Sequence, residues 1–358
     1  MQQNIHMTTS QAIKEQRHQL CEAIVARQYQ VRPDLAVRYG ERGRIKCLQD
    51  TDHHLDYLTE SLAVAQPLLF ADYLAWARAM LAGRNIPVED LVANMECVNA
   101  ALPEILEPAS AALAVEYVTK GITHLKNESA ALPSFISEAQ PLALLAREYL
   151  AALLHGERQR ASRLILDAVE GGVLVQDVYL QVFQPCQHEV GRLWQMNQIS
   201  VAQEHYCTAA TQLIMSQLYP YLFNGVHTGR TLVATCIAGD LHEIGVRMVS
   251  DLFELSGWDT FYLGANTPLP GILQTVRDNG ADVLAISATI TPHLTAVRDL
   301  IGQVRSAPDC SKVKIIVGGY PFNVVPEMWR QLGADGCARD AAGAIELANN
   351  LVSEVRAS

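Results

Sequence analysis

The spacing of apolar residues divides the chain into a helical first part and an alternating second part. Through residues 1–125, apolar side chains recur every three or four positions, as they do on one face of an amphipathic helix. One such stripe contains Leu55 and Leu58, and Pro87 is placed to begin a further helix. From residue 231 onward, the pattern changes to short apolar runs that are each followed by a helical stretch. We therefore predict an all-helical amino-terminal part and an α/β carboxy-terminal part.

A second helical group occupies residues 141–222, after a stretch with two prolines that ends the first group. Its apolar residues predict four helices, one of which runs to Trp194 while another begins at Ser200. Ser200 and Gln203 have the spacing of a capping box, in which each side chain bonds the backbone N–H of the other residue. Four helices of this size form a compact bundle.

Five short apolar runs predict the strands of a buried parallel sheet. Strands that alternate with helices are joined by right-handed crossovers and form a doubly wound, Rossmann-type sheet, here in the flavodoxin-like order 2-1-3-4-5. In that order, ligands bind beyond the carboxyl ends of the strands. The helices that follow the strands are predicted at 243–256, 268–279, 293–306, 323–332 and 340–354. The predicted domains are residues 1–135, 136–225 and 226–358.

Composition and charge exclude several classes of protein. The 27 basic and 38 acidic residues give a formal net charge of −11, which is unfavourable for nonspecific binding to nucleic acid. No apolar run reaches the ~18–20 residues of a membrane-spanning helix, and the first residues lack the apolar core of a signal peptide. The eight cysteines occur singly, which is typical of reduced thiols rather than of disulfides or a zinc site. We expect a cytoplasmic protein without a membrane or nucleic-acid partner.

Polar and small residues follow three strands that are neighbours in the predicted sheet. His242 carries an imidazole, which in its neutral form is a good ligand of a transition metal. The carboxylate of Asp240, two residues earlier, can accept a hydrogen bond from the other ring N–H. Small residues at the ends of the neighbouring strands leave a slot. One metal ligand beside a slot favours a cofactor that already carries most of its metal's coordination; the alternative is an ordinary loop histidine. The residues are Asp240, His242 and Gly245 after the first strand, Ser287 and Thr289 after the third, and Gly318 and Gly319 after the fourth.

These residues resemble the three-part signature of cobalamin-binding domains. The resemblance implies that His242 is the lower cobalt ligand, in place of the nucleotide base of the cofactor, with Asp240 beside it. It also implies that the displaced nucleotide tail lies in the slot lined by Ser287 and the two glycines. The second motif of the family is usually Ser-x-Leu, so Thr289 is a mild departure.

The predicted four-helix bundle resembles the cap that covers the upper face of the corrin in such proteins. Its sequence contains Trp194, nine further residues and then Glu204-His205, as in light-sensing adenosylcobalamin proteins. This resemblance implies that the three residues surround the adenosyl group. In light-dependent repressors of this type, the residue after the tryptophan is a histidine that binds cobalt after illumination, whereas this chain has Gln195. The resemblance then leaves His188, His205 or water as the upper ligand after illumination.

The amino-terminal part contains no basic recognition helix like that of the light-dependent repressors. A globin-sized helical domain ahead of a cap and a cobalamin domain instead resembles the photocobilins, in which a bilin-binding helical domain is fused to a cobalamin photosensor. This resemblance implies biliverdin as a second cofactor. Candidate residues for its propionates and pyrroles are His53, His54, Arg78 and Arg84. The alternatives for this domain are haem or no ligand.

The resemblance as a whole implies a non-enzymatic light sensor that uses adenosylcobalamin. A chain without a catalytic or DNA-reading domain signals by a change of shape or association, so we expect light-dependent self-association or an effector protein. The alternatives are a corrinoid carrier for a methyltransferase system, in which a separate chain performs the catalysis, and a cobalamin-responsive regulator that is indifferent to light.

Overall fold

The computed structural model of the chain describes residues 2–127, 132–224 and 226–357. Contacts divide the chain into two compact units. The first unit comprises Met1–Ala130 together with two later segments, Ile290–Arg298 and Asn323–Leu332. The second unit comprises Ala131–Thr289, Asp299–Phe322 and Gly333–Ser358.

The amino-terminal part is all helical, as its periodicity predicts. Proline residues stand at the start of several of its helices; for example, Pro67 is the first residue of α4 and Pro87 is the N-cap of α5. The long helix α3 is kinked at Gly40, where φ is +60°, a conformation that glycine adopts without steric cost. The stripe of Leu55 and Leu58 is buried in the core of this unit. The helices are α1 (Gln2–Glu15), α2 (Arg17–Val31), α3 (Asp34–Ala63), α4 (Pro67–Ala82), α5 (Val88–Ile105) and α6 (Pro108–Asn127).

The four-helix group in the second unit also follows the predicted pattern. Ser200 and Gln203 form the predicted capping box at the start of α11. The predicted long helix runs from residue 175 to 195 but contains one π-helical turn, Tyr179–Phe183. Pro185 lies two residues after the end of this turn, and a proline has no N–H with which to continue the regular hydrogen-bond ladder. The helices are α7 (Ala143–Leu154), α8 (Arg158–Glu170), α9 (Val175–Val178), α10 (Gln184–Gln195) and α11 (Val201–Gln217).

The last part of the chain forms the predicted parallel sheet. Its order is β2-β1-β3-β4-β5, which confirms the flavodoxin-like arrangement. The register pairs Cys236 with Ser287 and Ser287 with Gly318, so the three central strands end at the same level. The strands are β1 (Thr231–Cys236), β2 (Asp259–Gly264), β3 (Val283–Ser287), β4 (Lys314–Gly318) and β5 (Gly336–Cys337).

One predicted helix is wrong. The sequence predicts a single helix over 323–332, whereas the structure contains two short helices, α15 (Tyr320–Val324) and α16 (Met328–Leu332). Pro326 lies between them, and its ring and missing N–H prevent one helix from running through this position. The other helices that follow strands are α12 (Ile244–Leu255), α13 (Leu269–Asp278), α14 (Leu294–Ser306) and α17 (Ala341–Ala357). Among the described residues, no helix is both long enough and apolar enough to cross a membrane.

Candidate functional site

The strand register brings the three predicted motifs to one edge of the sheet. Cys236, Ser287 and Gly318 are aligned across β1, β3 and β4, and each motif begins at or just after its aligned residue. The loops must therefore meet at the carboxyl ends of these strands, where doubly wound sheets bind ligands.

Asp240 holds two of the motifs together. Its side chain is only 1% exposed, and both of its carboxylate oxygens accept hydrogen bonds. Oδ1 accepts from the backbone N–H of His242 at 3.0 Å and from Nδ1 of its ring at 2.7 Å. Oδ2 accepts from the backbone N–H of Thr289 at 2.5 Å. These bonds offset the cost of burying the carboxylate, and they tie the loop after β1 to the loop after β3.

His242 is oriented by this carboxylate and remains open to a ligand. An ionised carboxylate only accepts hydrogen bonds, so Nδ1 carries the proton and Nε2 of the neutral ring carries the free lone pair. The side chain is 59% exposed. Its hydrogen bond to Asp240 raises the pKa of His242, with a further contribution from the negative charge of Glu204, while burial has the opposite effect. A fixed tautomer with an accessible Nε2 is the form in which histidine binds a metal.

Two glycines of the site differ in their surroundings. Close packing requires a glycine at position 319, whereas Gly245 borders open space. Gly319 has a φ of +109°, and a Cβ atom there would lie 2.0 Å from the carbonyl oxygen of Ala288. Because Ala288 lies between Ser287 and Thr289, Gly319 lets β4 approach the second motif closely. A Cβ atom on Gly245 would meet nothing within 4 Å.

These features fit a cofactor that brings its own metal coordination. Among the described residues, no group of three or more His, Cys, Asp and Glu side chains is placed to hold a metal ion. The site instead offers one oriented imidazole, that of His242, and the close approach of Gly319 to Ala288. A corrinoid brings most of the ligands of its cobalt with it, so a single nitrogen from the protein, which His242 could supply, would be enough to replace its nucleotide base.

Of the predicted cap residues, Glu204 is the one with a described effect on His242. Glu204 lies in the first turn of α11, close enough for its charge to affect the pKa of His242. Its carboxylate is bound by Nδ1 of His205 at 2.5 Å and by Oγ1 of Thr208 at 3.1 Å. The side chain of His205 is 76% exposed. Trp194 is half-buried near the end of α10.

His188, a candidate upper cobalt ligand alongside His205, lies on α10, as does Gln195. His188 is exposed, and the contact described for its ring is with Phe135, at a centroid distance of 5.2 Å. Gln195 is buried at the carboxyl end of the same helix. The contacts described for His188 therefore place it against the segment before α7 rather than against another predicted site residue.

Hydrogen bonds of Glu243, which the sequence did not predict, join the cap helix α11 to the sheet. Glu243, directly after His242, accepts a hydrogen bond from Nε2 of Gln212 on α11 at 2.9 Å. Its other oxygen accepts from the backbone N–H of Ala265 at 3.1 Å. The position of Glu243 directly after His242 in the sequence indicates that it lies at the site. Its hydrogen-bond partners cannot be predicted in this way, because they are distant in the sequence. The cap helix is thus bonded to the loop that carries the candidate ligand.

The four candidate bilin residues do not share one environment. His54 is buried, its Nδ1 lies 2.8 Å from the hydroxyl of Tyr73, and burial lowers its pKa to about 3, so it is a neutral core residue. His53 is exposed. Arg84, which follows the end of α4, donates to the carbonyl of Met80 in that helix. Of the four residues, only Arg78 lines the cavity described next, and a bilin site at these positions stays a prediction.

Arg78 lines a cavity of about 650 Å³ within the first unit. Its guanidinium also donates to the carbonyl of Leu125 at 2.8 Å. Residues of α2, α4, α5 and α6 form the walls, which combine cationic, acidic and aliphatic side chains. The lining residues are Arg27, Arg32, Arg78, Lys126, Glu89, Glu96, Val31, Val88, Val92, Ala93, Cys97, Ala100 and Leu125.

Comparison with protein-family models matches three regions of the chain. Residues 1–125 match the family described as phycobilisome protein. Residues 145–219 and 230–348 match two models, each described as a B12 binding domain. The first match covers the amino-terminal helices, and the other two cover the cap helices and the parallel sheet.

Similar proteins are named as corrinoid proteins. A corrinoid protein of Desulfitobacterium hafniense (strain Y51) is 24% identical over 209 residues, which are 57% of this chain and 95% of that protein. Dimethylamine corrinoid protein 3 of Methanosarcina acetivorans is 30% identical over 122 residues, which are 34% of this chain and 56% of that protein.

The fold of these regions is also found in a solved structure. The monomethylamine corrinoid protein of Methanosarcina barkeri superimposes with a TM-score of 0.53 at 22% identity, over 59% of this chain and all of that one. This likeness concerns the fold alone. The two B12 binding domain matches and the corrinoid-protein relatives support a corrinoid cofactor for the region formed by the cap helices and the five-stranded sheet.

Proposed function

We propose that this chain is a light sensor that binds adenosylcobalamin through His242 and a bilin through its amino-terminal helices. The observation that carries the proposal is the presence, in one chain, of a phycobilisome-type helical region and a cobalamin-binding region. A carrier of methyl groups has no evident need for the first of these regions, whereas a photoreceptor can use two pigments.

The residues of the site support distinct roles in this proposal. Adenosylcobalamin supplies a cobalt–carbon bond that visible light breaks. His242 would supply the lower nitrogen ligand, and Asp240 holds its ring in the required tautomer. The space on the cap side of the corrinoid would be lined by Trp194, Glu204 and His205. The last two are joined by a hydrogen bond.

The cavity of the first unit supports the bilin part of the proposal. Its volume of about 650 Å³ lies within the ~300–1,000 Å³ range of ordinary ligand pockets. Aliphatic side chains suit the flat pyrroles of biliverdin, and Arg78 is a cation of the lining that suits a propionate. Arg27, Arg32 and Lys126 also line the cavity, but each forms an ion pair with a carboxylate of the protein that a propionate would have to replace or share.

A second candidate function is that of a corrinoid carrier for a methyltransferase system. The similar proteins named above favour it, because several are named as corrinoid proteins of methylamines. Judged by those relatives alone, the carrier is the better supported of the two functions. It uses the same lower ligand but requires a separate methyltransferase chain as its partner.

The absorption spectrum of reconstituted protein distinguishes these functions. We expect the chain loaded with adenosylcobalamin to change its spectrum permanently under green light, and added biliverdin to give a far-red band. Methyl transfer to and from the bound corrinoid in the presence of a methyltransferase, with no lasting response to light, would support the carrier. An inert spectrum without methyl transfer would indicate a regulator that responds only to the cofactor.

Replacing Trp194 by alanine should weaken binding of adenosylcobalamin by about tenfold relative to hydroxocobalamin. Only the first cofactor occupies the proposed upper pocket, so only its affinity depends on the indole ring. Titrations monitored by absorbance give both dissociation constants. Trp329→Ala is a matched control, because Trp329 is another half-buried tryptophan. Equal losses for both cofactors in Trp194→Ala would place this residue in the general core instead.

Illumination of the adenosylcobalamin form should change its oligomeric state. A ligand biases an equilibrium only through contacts that differ between the two states, and loss of the adenosyl group removes contacts on the cap side. Size-exclusion chromatography with light scattering, in the dark and after illumination, measures the mass. The form loaded with hydroxocobalamin is the control, because it has no adenosyl group to lose. Identical masses at several concentrations would contradict output by self-association and leave an effector protein or an internal movement.

A further inference from the structure

Glu60 is a buried carboxylate near the carboxyl end of α3 that the proposed function does not use. It is 5% exposed, and its two oxygens have different partners. Oε1 accepts from Nζ of Lys14 at 2.8 Å. Oε2 accepts from the backbone N–H of Thr295 at 3.0 Å and from its hydroxyl at 2.6 Å. Thr295 belongs to the segment Ile290–Arg298, which is part of the same compact unit as α3.

The bonds to Thr295 make Glu60 a cap for another helix. Thr295 is the second residue of α14, and the first four N–H groups of a helix have no partner within it. A negative charge at this end also interacts favourably with the helix dipole. In return, Arg298 of α14 donates to the carbonyl of Ala63, the last residue of α3, at 3.3 Å. The two helices thus complete each other's ends.

The capped segment begins directly after the second motif of the corrinoid site. Thr289 donates its backbone N–H to Asp240, and Thr295 donates its own to Glu60. The six-residue step between them includes a 3₁₀ turn, Thr291–His293, whose first residue is buried. Because only five residues separate the two bonded threonines, a bond lost at Thr295 increases the number of conformations open to the chain that leads from Thr289.

We propose that Glu60 is a positioning residue for the corrinoid site. It acts through Thr295 and the segment 290–295 on Thr289, and so on the carboxylate of Asp240 that orients His242. The proposal rests on the proposed corrinoid site at Ser287 and Thr289. Because coupling between two sites is reciprocal, a corrinoid bound at Thr289 also tightens the bonds of Glu60 at the end of α3.

The test compares the full-length wild-type protein with Glu60→Gln. Glutamine keeps the size of the side chain and one acceptor oxygen but removes the charge that attracts Lys14 and the N-terminus of α14. We expect the dissociation constant of hydroxocobalamin to rise by about 3- to 30-fold. We also expect faster amide hydrogen exchange at Thr289 and Thr295 in the protein without corrinoid, since these N–H groups are the ones held at the two ends of the segment.

Asp90→Asn is the matched control. Asp90 is also a buried carboxylate of the first unit, at 6% exposed, and it is bonded to Arg38 at 2.8 Å and Arg32 at 3.0 Å. Its loss removes a comparable ion pair, but its described partners are not in the segment 290–298. We expect Asp90→Asn to lower thermal stability while hydroxocobalamin affinity and exchange at Thr289 stay at wild-type values.

Two results would overturn the proposal. One is an unchanged affinity together with unchanged exchange at Thr289 in Glu60→Gln. The other is an equal loss of affinity in both variants, which would indicate general destabilisation. A wild-type protein that does not bind hydroxocobalamin at all would overturn the proposed corrinoid site instead, and the exchange measurement would still decide whether Glu60 fixes the segment.

Discussion

His242→Ala should weaken corrinoid binding by more than about 100-fold or leave any bound corrinoid with the spectrum of a base-on or water-ligated form. Loss of a residue that merely orients a metal ligand costs about 10- to 100-fold in metal affinity, so loss of the ligand itself should cost at least as much. Nε2 is the ring nitrogen that the proposal assigns to cobalt, because Nδ1 is bonded to Asp240. Titration with hydroxocobalamin and the absorption spectrum of the complex measure both effects. Asp240→Asn should act more mildly, since it leaves the ligand in place.

His227→Ala is the matched control for this substitution. His227 is another exposed histidine with a neighbouring carboxylate, since its Nδ1 lies 3.4 Å from Asp259. It lies before β1 rather than after it, at the opposite end of the sheet from the candidate site. We expect wild-type affinity and spectrum for His227→Ala. Unchanged affinity and an unchanged spectrum for His242→Ala would refute its assignment as the lower ligand.

Gly319→Ala should destabilise the second unit by about 3 kcal/mol or more and abolish corrinoid binding. The added Cβ would lie 2.0 Å from the carbonyl oxygen of Ala288, and alanine is strained at a φ of +109°. Relief of the clash requires the end of β4 to move away from Ser287 and Thr289, which changes the proposed slot. Urea denaturation measures the loss of stability, and titration with hydroxocobalamin measures binding.

Gly280→Ala separates the clash from the backbone strain. Gly280 also has a positive φ, of +55°, but a Cβ atom there would meet nothing within 4 Å. We expect this control to lose only about 1 kcal/mol, with unchanged corrinoid affinity. If both variants lost the same stability and both bound corrinoid normally, close packing of Gly319 against the second motif would not matter for the site.

Local sequence patterns were sufficient to predict most of the secondary structure and the place of the site. The capping box of Ser200 and Gln203 depends on residues three positions apart, and each strand depends on its own apolar run. The order of the strands followed from general rules for alternating strands and helices. Parallel strands end at one edge of the sheet, so the three motifs could be placed together without knowledge of any side-chain contact. The prediction of one helix over 323–332 is wrong because Pro326 interrupts the helix.

Periodicity and short-range chemistry are enough to predict the helical and α/β parts, the strand order and the edge at which His242, Ser287 and Gly319 meet. Only the folded structure shows which groups hold that edge in place. Asp240 and Thr289 are 49 residues apart, and Glu60 and Thr295 are 235 residues apart. Such pairs depend on how whole helices and loops pack, and no local pattern records that packing. For the same reason, only the structure placed residues 290–298 in one unit with the amino-terminal helices.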